Sequence, residues 1–319
     1  MEKVLVTGAS GYIGSVVCKL AKNCGWYVSA VDPIKPSHNY YDTYVEATAG
    51  HDIVREIITM GEIKKIFHLG AIASVPDSLK HPSKYYRKNT GDTAALLDNL
   101  QAMNWRGHIV FSSTAAVYGN QYAPCSETME LNPINPYGHS KLMCEKIIED
   151  VAVHYGLNAT VFRYFNVAGS YNNIGDHLDS DHVLQRISES SITKSAFYVF
   201  GGDYDTRDGS CLRDFVHVKD IARAHFFVDS KVNLDKPSFN VYNLGTYSGT
   251  TVIELANTFK MMTGEQLNIK YKDRRPGDPP VLIASAEKIK GIGFEFKHSD
   301  IEEIIGSSWE YYKGKYNER

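Results

Sequence analysis

The chain has 319 residues, with 34 Lys and Arg against 37 Asp and Glu, so its formal net charge is −3. Hydrophobic residues make up 43% and aromatic residues 12%, enough for one large packed domain or two, which excludes a disordered chain. The near-neutral balance points to neither nucleic acid nor a membrane surface as partner, and no apolar run approaches the roughly 18 residues that a membrane-spanning helix needs.

The first half alternates strand-like and helix-like segments. Lys3–Thr7 (KVLVT) reads as a strand stopped by glycine, and the opening MEKVLVTG is too short an apolar piece for a secretory signal. Tyr12–Asn23 has helical spacing, Tyr27–Val31 is strand-like, His51–Met60 is helical, and Lys65–Leu69 (KIFHL) is a strand. One long helix is expected over Ser83–Asn104, a strand at His108–Ser112, a helix over Pro136–Tyr155 and a strand at Ala159–Phe165. Strands joined by helices of this length predict right-handed βαβ units and an α/β, doubly wound parallel sheet covered on both faces. After about Gly169 the rhythm changes. Asn172–Asp181, Gly201–Arg213 and Asp273–Pro280 are rich in glycine, proline and charge, which predicts a smaller, mixed α/β domain built largely from long loops. The expected division is residues 1–169 and 170–319, with later segments free to return to the first domain. Five cysteines, an odd number without C-x-x-C spacing, fit a reducing cytoplasm and no disulfide framework.

Three glycines, Gly8, Gly11 and Gly14, follow the first strand and open the first helix. Such a G-x-x-G-x-x-G turn lets backbone approach a pyrophosphate, whose charge rests on the N–H groups at the helix start. Asp32 ends the next strand, where an acid accepts hydrogen bonds from an adenosine ribose and repels a 2′-phosphate. That predicts NAD rather than NADP. Tyr137 and Lys141 lie four residues apart, on one face of a helix. The preceding strand ends in Ser112-Ser113-Thr114, and strand carboxyl ends face the ligand crevice of such a sheet. Oxidising a sugar alcohol needs a base, and a free phenol titrates near about 10. One ammonium at about 4 Å, at an effective permittivity of about 20, favours phenolate by about 4 kcal/mol. Desolvation takes some of that back; Lys141 and the oxidised nicotinamide together are therefore expected to bring Tyr137 towards neutrality as a general base, with Thr114 holding the reacting oxygen.

Six pieces now stand in order: VTGASGYIG at 6–14, FSSTAAVYG at 111–119, NPYGHSK at 135–141, RYFNVAG at 163–169, FGGDYDTRDGSCLRDFVHVKD at 200–220 and RRPGD at 274–278. Together they resemble the extended short-chain dehydrogenase/reductase family and, within it, the UDP-sugar 4-epimerases. The resemblance implies a Rossmann-like NAD-binding domain and a nucleotide-sugar domain. It also implies interconversion of UDP-hexoses (UDP-glucose and UDP-galactose, with the N-acetylated pair open) through a transient 4-keto sugar. By the same resemblance Tyr137 is the base, Lys141 its electrostatic partner and Thr114 the hydroxyl partner. NAD is expected to lie along Gly8, Gly11, Tyr12, Ile13, Gly14, Asp32, Leu69, Asn89, Ser112, Tyr137, Lys141 and Tyr164. The UDP-sugar is expected to meet Thr114, Tyr137, Asn166, His182, Val183, Arg213, Arg275, Asp278 and Leu282. Arg213 and Arg275 would clamp the diphosphate, which suits a guanidinium fork, Asp278 would bind the uridine ribose, and Leu282 would gate the sugar pocket.

The resemblance further implies a homodimer pairing the helices near 83–104 and 136–155. Ala73 replaces a lysine that many members carry near the cofactor, and Thr48 replaces an acid that reads the adenine edge. No metal is expected, although Asp176–His182 mixes acids and imidazoles. Two other readings stay open: another nucleotide-sugar enzyme (a uronate or pentose 4-epimerase, or a reductase), and a non-enzymatic NAD sensor. A dehydratase is disfavoured because Ala115-Ala116, not an acid, follow Thr114.

Overall fold

The computed structural model describes residues 1–121 and 124–318. The chain forms two compact units. The first comprises Met1–Val117, Pro133–Arg163 and Ala222–Tyr242, and the second Tyr118–Asn132, Tyr164–Ile221 and Asn243–Arg319. A single cut after residue 169 separates them less well, because the chain crosses between units more than once.

In chain order the first half runs β1 (Lys3–Thr7), α1 (Tyr12–Asn23), β2 (Tyr27–Asp32), β3 (Thr43–Glu46), α2 (Ile53–Gly61), β4 (Lys65–His68), α3 (Val75–Lys80) and α4 (Pro82–Tyr85). It continues through a π-helical turn at Tyr86–Gly91 to α5 (Asp92–Ala102), β5 (His108–Thr114), α6 (Pro136–Val151) and β6 (Asn158–Tyr164). The second half holds β7 (Asn166–Ala168), α7 (Val183–Thr193), β8 (Ala196–Phe200), β9 (Leu212–His217), α8 (Val218–Asp229), β10 (Phe239–Leu244) and β11 (Gly249–Thr251). It ends with α9 (Val252–Thr263), β12 (Asn268–Lys272), β13 (Val281–Leu282), α10 (Glu287–Gly291) and α11 (Ile301–Asn317).

The first unit is built on a seven-stranded sheet of order β10-β6-β5-β4-β1-β2-β3. Its central pairs are parallel, with Thr7 opposite Val31 and His68 opposite Phe111. Period-2 alternation sends Leu5, Ile66, Ile109, Phe111 and Val161 to one face. There they pack with Val54 and Ile58 of α2, Leu96, Leu97 and Leu100 of α5, and Ile148 of α6. On the other side Phe67 meets Trp26, His225 and Phe226 in tilted and edge-on ring contacts. The helix expected over 83–104 is broken into α4, the π turn and α5. Strand β3 (TYVE) escaped the sequence reading because its residues are exposed or half-buried and show no apolar alternation.

The second unit is more regular than its loop-rich sequence suggested. Strands β7, β9, β11 and β13 form one sheet, and β8 and β12 pair in parallel. Helices α7, α9 and α11 enclose an apolar cluster with Phe197, Val199, Phe215, Phe259, Ile304 and Ile305. Among the described residues no helix is long and apolar enough to cross a membrane, and all five cysteines are free thiols.

Candidate active site

The glycine turn is shaped by close backbone approach. Gly8 has φ +69°, and a Cβ there would lie 2.7 Å from the Gly70 nitrogen and the Leu69 carbonyl carbon. At Gly14 a Cβ would come within 2.0 Å of the Gly8 oxygen, so only glycine lets α1 start against the turn. Gly11 is the N-cap of α1, with no side chain capping the helix. Tyr12 and Ile13 form the first helical positions, where an anion is favoured. Leu69 follows β4 and donates its N–H to the Thr7 carbonyl at 3.2 Å. Asp32 ends β2 nearly buried, its carboxylate accepting from the Ser10 N–H (3.1 Å) and the Ile34 N–H (2.9 Å). A glycine cradle too tight for any Cβ, a helix start without a side-chain cap and an acid at the next strand end fit a dinucleotide such as NAD.

A second group lies at the carboxyl end of β5. Asn135 caps α6, its Oδ1 accepting from the Gly138 N–H at 2.9 Å, and Pro136 sits at the first helical position. Tyr137 and Lys141 thereby enter on the first turns of a well-anchored helix. The half-buried Tyr137 phenol lies near Thr114, whose Oγ1 accepts from the Ala116 N–H at 3.1 Å. The buried Lys141 Nζ donates to the Ser112 carbonyl at 2.6 Å and lies 4.7 Å from the centre of the Phe111 ring.

The electrostatics show the desolvation cost set against that expectation. Burial raises the Tyr137 phenol above its ordinary value, and the opposing influence is the Thr114 hydrogen bond rather than the Lys141 charge. Lys141 is itself pushed down to about 8 by burial, against the upward pull of Cys144 and Glu145. The ammonium is held at the Ser112 carbonyl, and in the protein alone burial outweighs what favours the phenolate.

Asn89 lies in the π turn, buried, with its amide used inside the protein. Its Nδ2 donates to the Ile72 carbonyl (3.1 Å) and Ser140 Oγ (3.0 Å), and its Oδ1 accepts from the Ile72 N–H (2.9 Å). It ties the loop after β4 to α6.

In the second unit Tyr164 is buried where β6 ends, and Asn166 opens β7, its Nδ2 donating to the Asp214 carbonyl at 3.3 Å. Arg213 on β9 is nearly buried. Its Nη2 reaches Asp278 Oδ1 at 3.0 Å and its Nη1 donates to the Leu212 carbonyl at 3.0 Å. Leu282 on β13 is in register with Arg213, and Arg275 stacks 3.8 Å above the Phe200 ring. Two expected diphosphate and ribose ligands, Arg213 and Asp278, are thus brought together, and Leu282 stands on the neighbouring strand. His182 is the N-cap residue of α7, which begins at Val183, and its Nδ1 lies 2.5 Å from Asp176 Oδ2. Among the described residues no group of three or more His, Cys, Asp or Glu could hold a metal.

Sequence reasoning missed Asp214, next to Arg213. It is fully buried, accepting from the Thr246, Tyr247 and Ala284 N–H groups at 2.8, 2.9 and 3.0 Å. It knits β9 to the segments before β11 and after β13, and in the sequence it showed only as one more acid in a charged run.

The family model described as "NAD dependent epimerase/dehydratase family" matches residues 4–245. The UDP-glucose 4-epimerase of Lactobacillus helveticus is 36% identical over 325 residues, covering 98% of this chain and 97% of that protein. A crystal structure of the UDP-glucose 4-epimerase of Stenotrophomonas maltophila, with bound NAD and formylated UDP-arabinopyranose, superposes with a TM-score of 0.93 at 30% identity over all of both chains. The UDP-Glc/GlcNAc 4-epimerase of Campylobacter jejuni superposes with a TM-score of 0.82 at 31% identity, covering 98% of this chain and all of that one. With its glycine cradle, its Tyr–Lys helix and these full-length likenesses, the chain belongs to the NAD dependent epimerase/dehydratase family.

Proposed function

We propose that this protein is an NAD-dependent UDP-sugar 4-epimerase, interconverting UDP-glucose and UDP-galactose through a transient 4-keto sugar, with the N-acetylated pair as a further candidate. The observation that carries the reading is the placing of Tyr137 beside Thr114, with Lys141 one helical turn on, at the carboxyl end of the sheet that also carries the glycine cradle.

NAD, held by the turn at Gly8, Gly11 and Gly14, by α1 and by Asp32, supplies a reversible hydride acceptor for the sugar's carbon 4. The residues supply the proton traffic. Tyr137 takes the proton of the 4-hydroxyl as the ketone forms and returns it when the carbonyl is reduced from the opposite face, so no net redox change occurs. Thr114 holds the reacting oxygen. Because burial raises the phenol in the protein alone, the positive charge that favours phenolate must come from the bound oxidised cofactor together with Lys141. Ser112 fixes Lys141, and Asn89 fixes the loop after β4.

The second unit binds the part of the substrate that does not react. Arg213 and Arg275 take the diphosphate and Asp278 the uridine ribose, while Asn166, His182, Val183 and Leu282 flank the nucleotide-sugar. Firm grip on the nucleotide with weak grip on the hexose lets the keto sugar turn over between the two hydride transfers. The first unit is accordingly the NAD-binding domain, with Leu69, Tyr12 and Ile13 along the cofactor, and Tyr164, at the end of β6, is a further cofactor contact. We also propose a homodimer through the α5 and α6 region, where Met143 and Val153 remain 46% and 64% exposed, and a cytoplasmic location, which the five free thiols favour. Sedimentation at graded protein concentration tests the dimer.

Purified protein supplied with NAD and either UDP-galactose or UDP-N-acetylgalactosamine, with products resolved by chromatography, tests the activity. Conversion to the 4-epimer without added reductant is expected for at least one; no conversion of either overturns the assignment.

A further inference from the structure

Helix α6 presents Tyr137, Lys141 and Glu145 at four-residue intervals on one face. Each is matched to one residue at the end of β5. The Thr114 hydroxyl meets the Tyr137 phenol, the Ser112 carbonyl accepts from Lys141 Nζ at 2.6 Å, and the Ser113 hydroxyl donates to Glu145 Oε1. Glu145 is also forked by Arg163 of β6, with Nη2 2.7 Å from Oε2 and Nε 3.2 Å from each carboxylate oxygen. Ser113, Glu145 and Arg163 are all buried, with no more than 4% of any of them exposed. Neither charge takes part in the proton transfer proposed above.

A buried ion pair contributes little net stability, because removing both charges from water offsets most of their attraction. It does penalise every arrangement that breaks it. Helix α6 gains from such a device, since Ile148 is its one large, fully buried apolar side chain, with Cys144 buried and Ile147 and Val151 only partly buried against the same core. Apolar packing this thin discriminates poorly against a slip of one turn, about 5.4 Å, which would carry Lys141 to the place of Tyr137.

We infer that the Glu145–Arg163 pair, anchored on Ser113, is the positioning element that locks the register of α6 against β5 and β6 and so sets Tyr137 on Thr114 and Lys141 on the Ser112 carbonyl. The pair has a second consequence, for charge. Lys141 faces Tyr137, Cys144 and Glu145 on its own helix, the Phe111 ring and Ser112 carbonyl of β5, and His68 of β4, which burial holds neutral. Arg163 of β6 lies behind Glu145, and Thr90 and Thr93 bond the Cys144 thiol. Glu145 favours the Lys141 ammonium, and Arg163, paired with Glu145, brings a charge of opposite sign up behind it.

This rests on the reading of Tyr137 and Lys141 as the proton-transfer pair, which Tyr137→Phe tests separately. The inference itself is tested by the pH profile of kcat at saturating NAD and UDP-sugar. Glu145→Gln leaves Arg163 unopposed, and the alkaline limb, where Lys141 loses its proton, is expected to move down by about one pH unit with kcat reduced at least tenfold. Arg163→Gln leaves Glu145 unopposed, and the limb is expected to move up. Ser113→Ala keeps both charges and is expected to lower kcat several-fold with the limb in place. Limbs unmoved in both charge variants, or moved in the same direction, overturn the proposal, even where Tyr137→Phe is inactive. Should either charge variant fail to fold, Glu145→Asp decides. It keeps the charge but is one methylene short of spanning Ser113 and Arg163, so a lowered kcat with an unmoved limb is expected, and the parental kcat overturns the proposal.

Discussion

Tyr137 and Lys141 are ordinary residue types whose behaviour here is set by burial. Tyr137→Phe removes the proposed proton acceptor and leaves the glycine cradle untouched. We expect kcat to fall by about 10²–10⁴-fold with NAD still retained on gel filtration; a variant of parental activity would show that another group takes the proton. Lys141 makes a prediction about stability. Its folded-state value, pushed down to about 8 by burial, lies below its ordinary 10.5. Folding therefore disfavours the ammonium fully below about pH 8, and the penalty fades as pH rises from about 8 to 10.5. At about 1.4 kcal/mol per unit the penalty is about 3 kcal/mol, partly returned by the bond to the Ser112 carbonyl. Lys141→Met is expected to raise the unfolding free energy at pH 7 by about 2 kcal/mol while abolishing turnover, and to lose that advantage near pH 10.5. Urea titrations at the two pH values decide it, and a variant less stable than the parent at pH 7 would refute it. On the proposed mechanism the protein keeps a destabilising charge where the chemistry uses one.

At the scale of the element, two helical glycines make opposite predictions. Gly14, near the start of α1, has no room for a Cβ because the Gly8 carbonyl oxygen occupies its place. Gly14→Ala must push α1 away from the turn, and NAD affinity measured by fluorescence is expected to fall at least tenfold. Gly314 lies exposed in α11, and a Cβ there would meet nothing within 4 Å. Gly314→Ala is expected to stabilise the protein by about 0.5–1 kcal/mol through reduced chain entropy alone, seen as a higher urea midpoint with unchanged kcat. If both substitutions behaved alike, the close approach at Gly14 would not be what selects glycine there. The break between α4 and α5 belongs to this scale too. The π turn carries Asn89, and the extra residue in that turn accompanies an amide that reaches both the loop after β4 and Ser140 of α6.

At the scale of the molecule, the sheet of the first unit carries the proposed site at its strand carboxyl ends and an ionic cluster at its strand starts. At the strand starts, Asp229 of α8 gathers Lys65 of β4 (Nζ to Oδ2 2.5 Å) and His108 of β5 (Nδ1 to Oδ1 3.2 Å). Burial acts to raise the Asp229 carboxyl, but the bonds and charges of His108 and Lys65 outweigh it and hold the group below 3.8. A carboxyl lowered on folding contributes stability that is fully present above its unfolded value and lost as pH falls through its folded value. Asp229→Asn is therefore expected to lower the unfolding free energy by about 3 kcal/mol at pH 7, with the gap narrowing as pH falls from 4 towards 2. A gap independent of pH would show that the carboxylate charge is not what holds α8 to the sheet. NAD is expected to raise the melting temperature in a concentration-dependent way, since a ligand bound only by the folded form stabilises by RT ln(1 + [L]/Kd).

Local chemistry made part of this protein legible in advance. The strands β1, β2, β4, β5 and β6 and the helices α1 and α6 announced themselves because alternation, helical spacing, glycine stops and an Asn-Pro helix start are properties of neighbours in the chain. The glycine cradle, Asp32 and the Tyr137–Lys141 spacing were visible for the same reason, each being a short-range pattern with one physical cause. What touches what was decided only by folding. The exposed edge strand β3, the return of the segment around β10 to the first sheet, the partnership of Arg213 with Asp278 and the enclosure of Asp214 all join residues far apart in sequence. So do the surroundings that set the protonation of the Tyr137 phenol. Spacing along one helix placed a cation near Tyr137, but burial and the Ser112 carbonyl, brought in by β5, determine how much of that charge the phenol feels, because desolvation and hydrogen bonding depend on the whole surrounding fold.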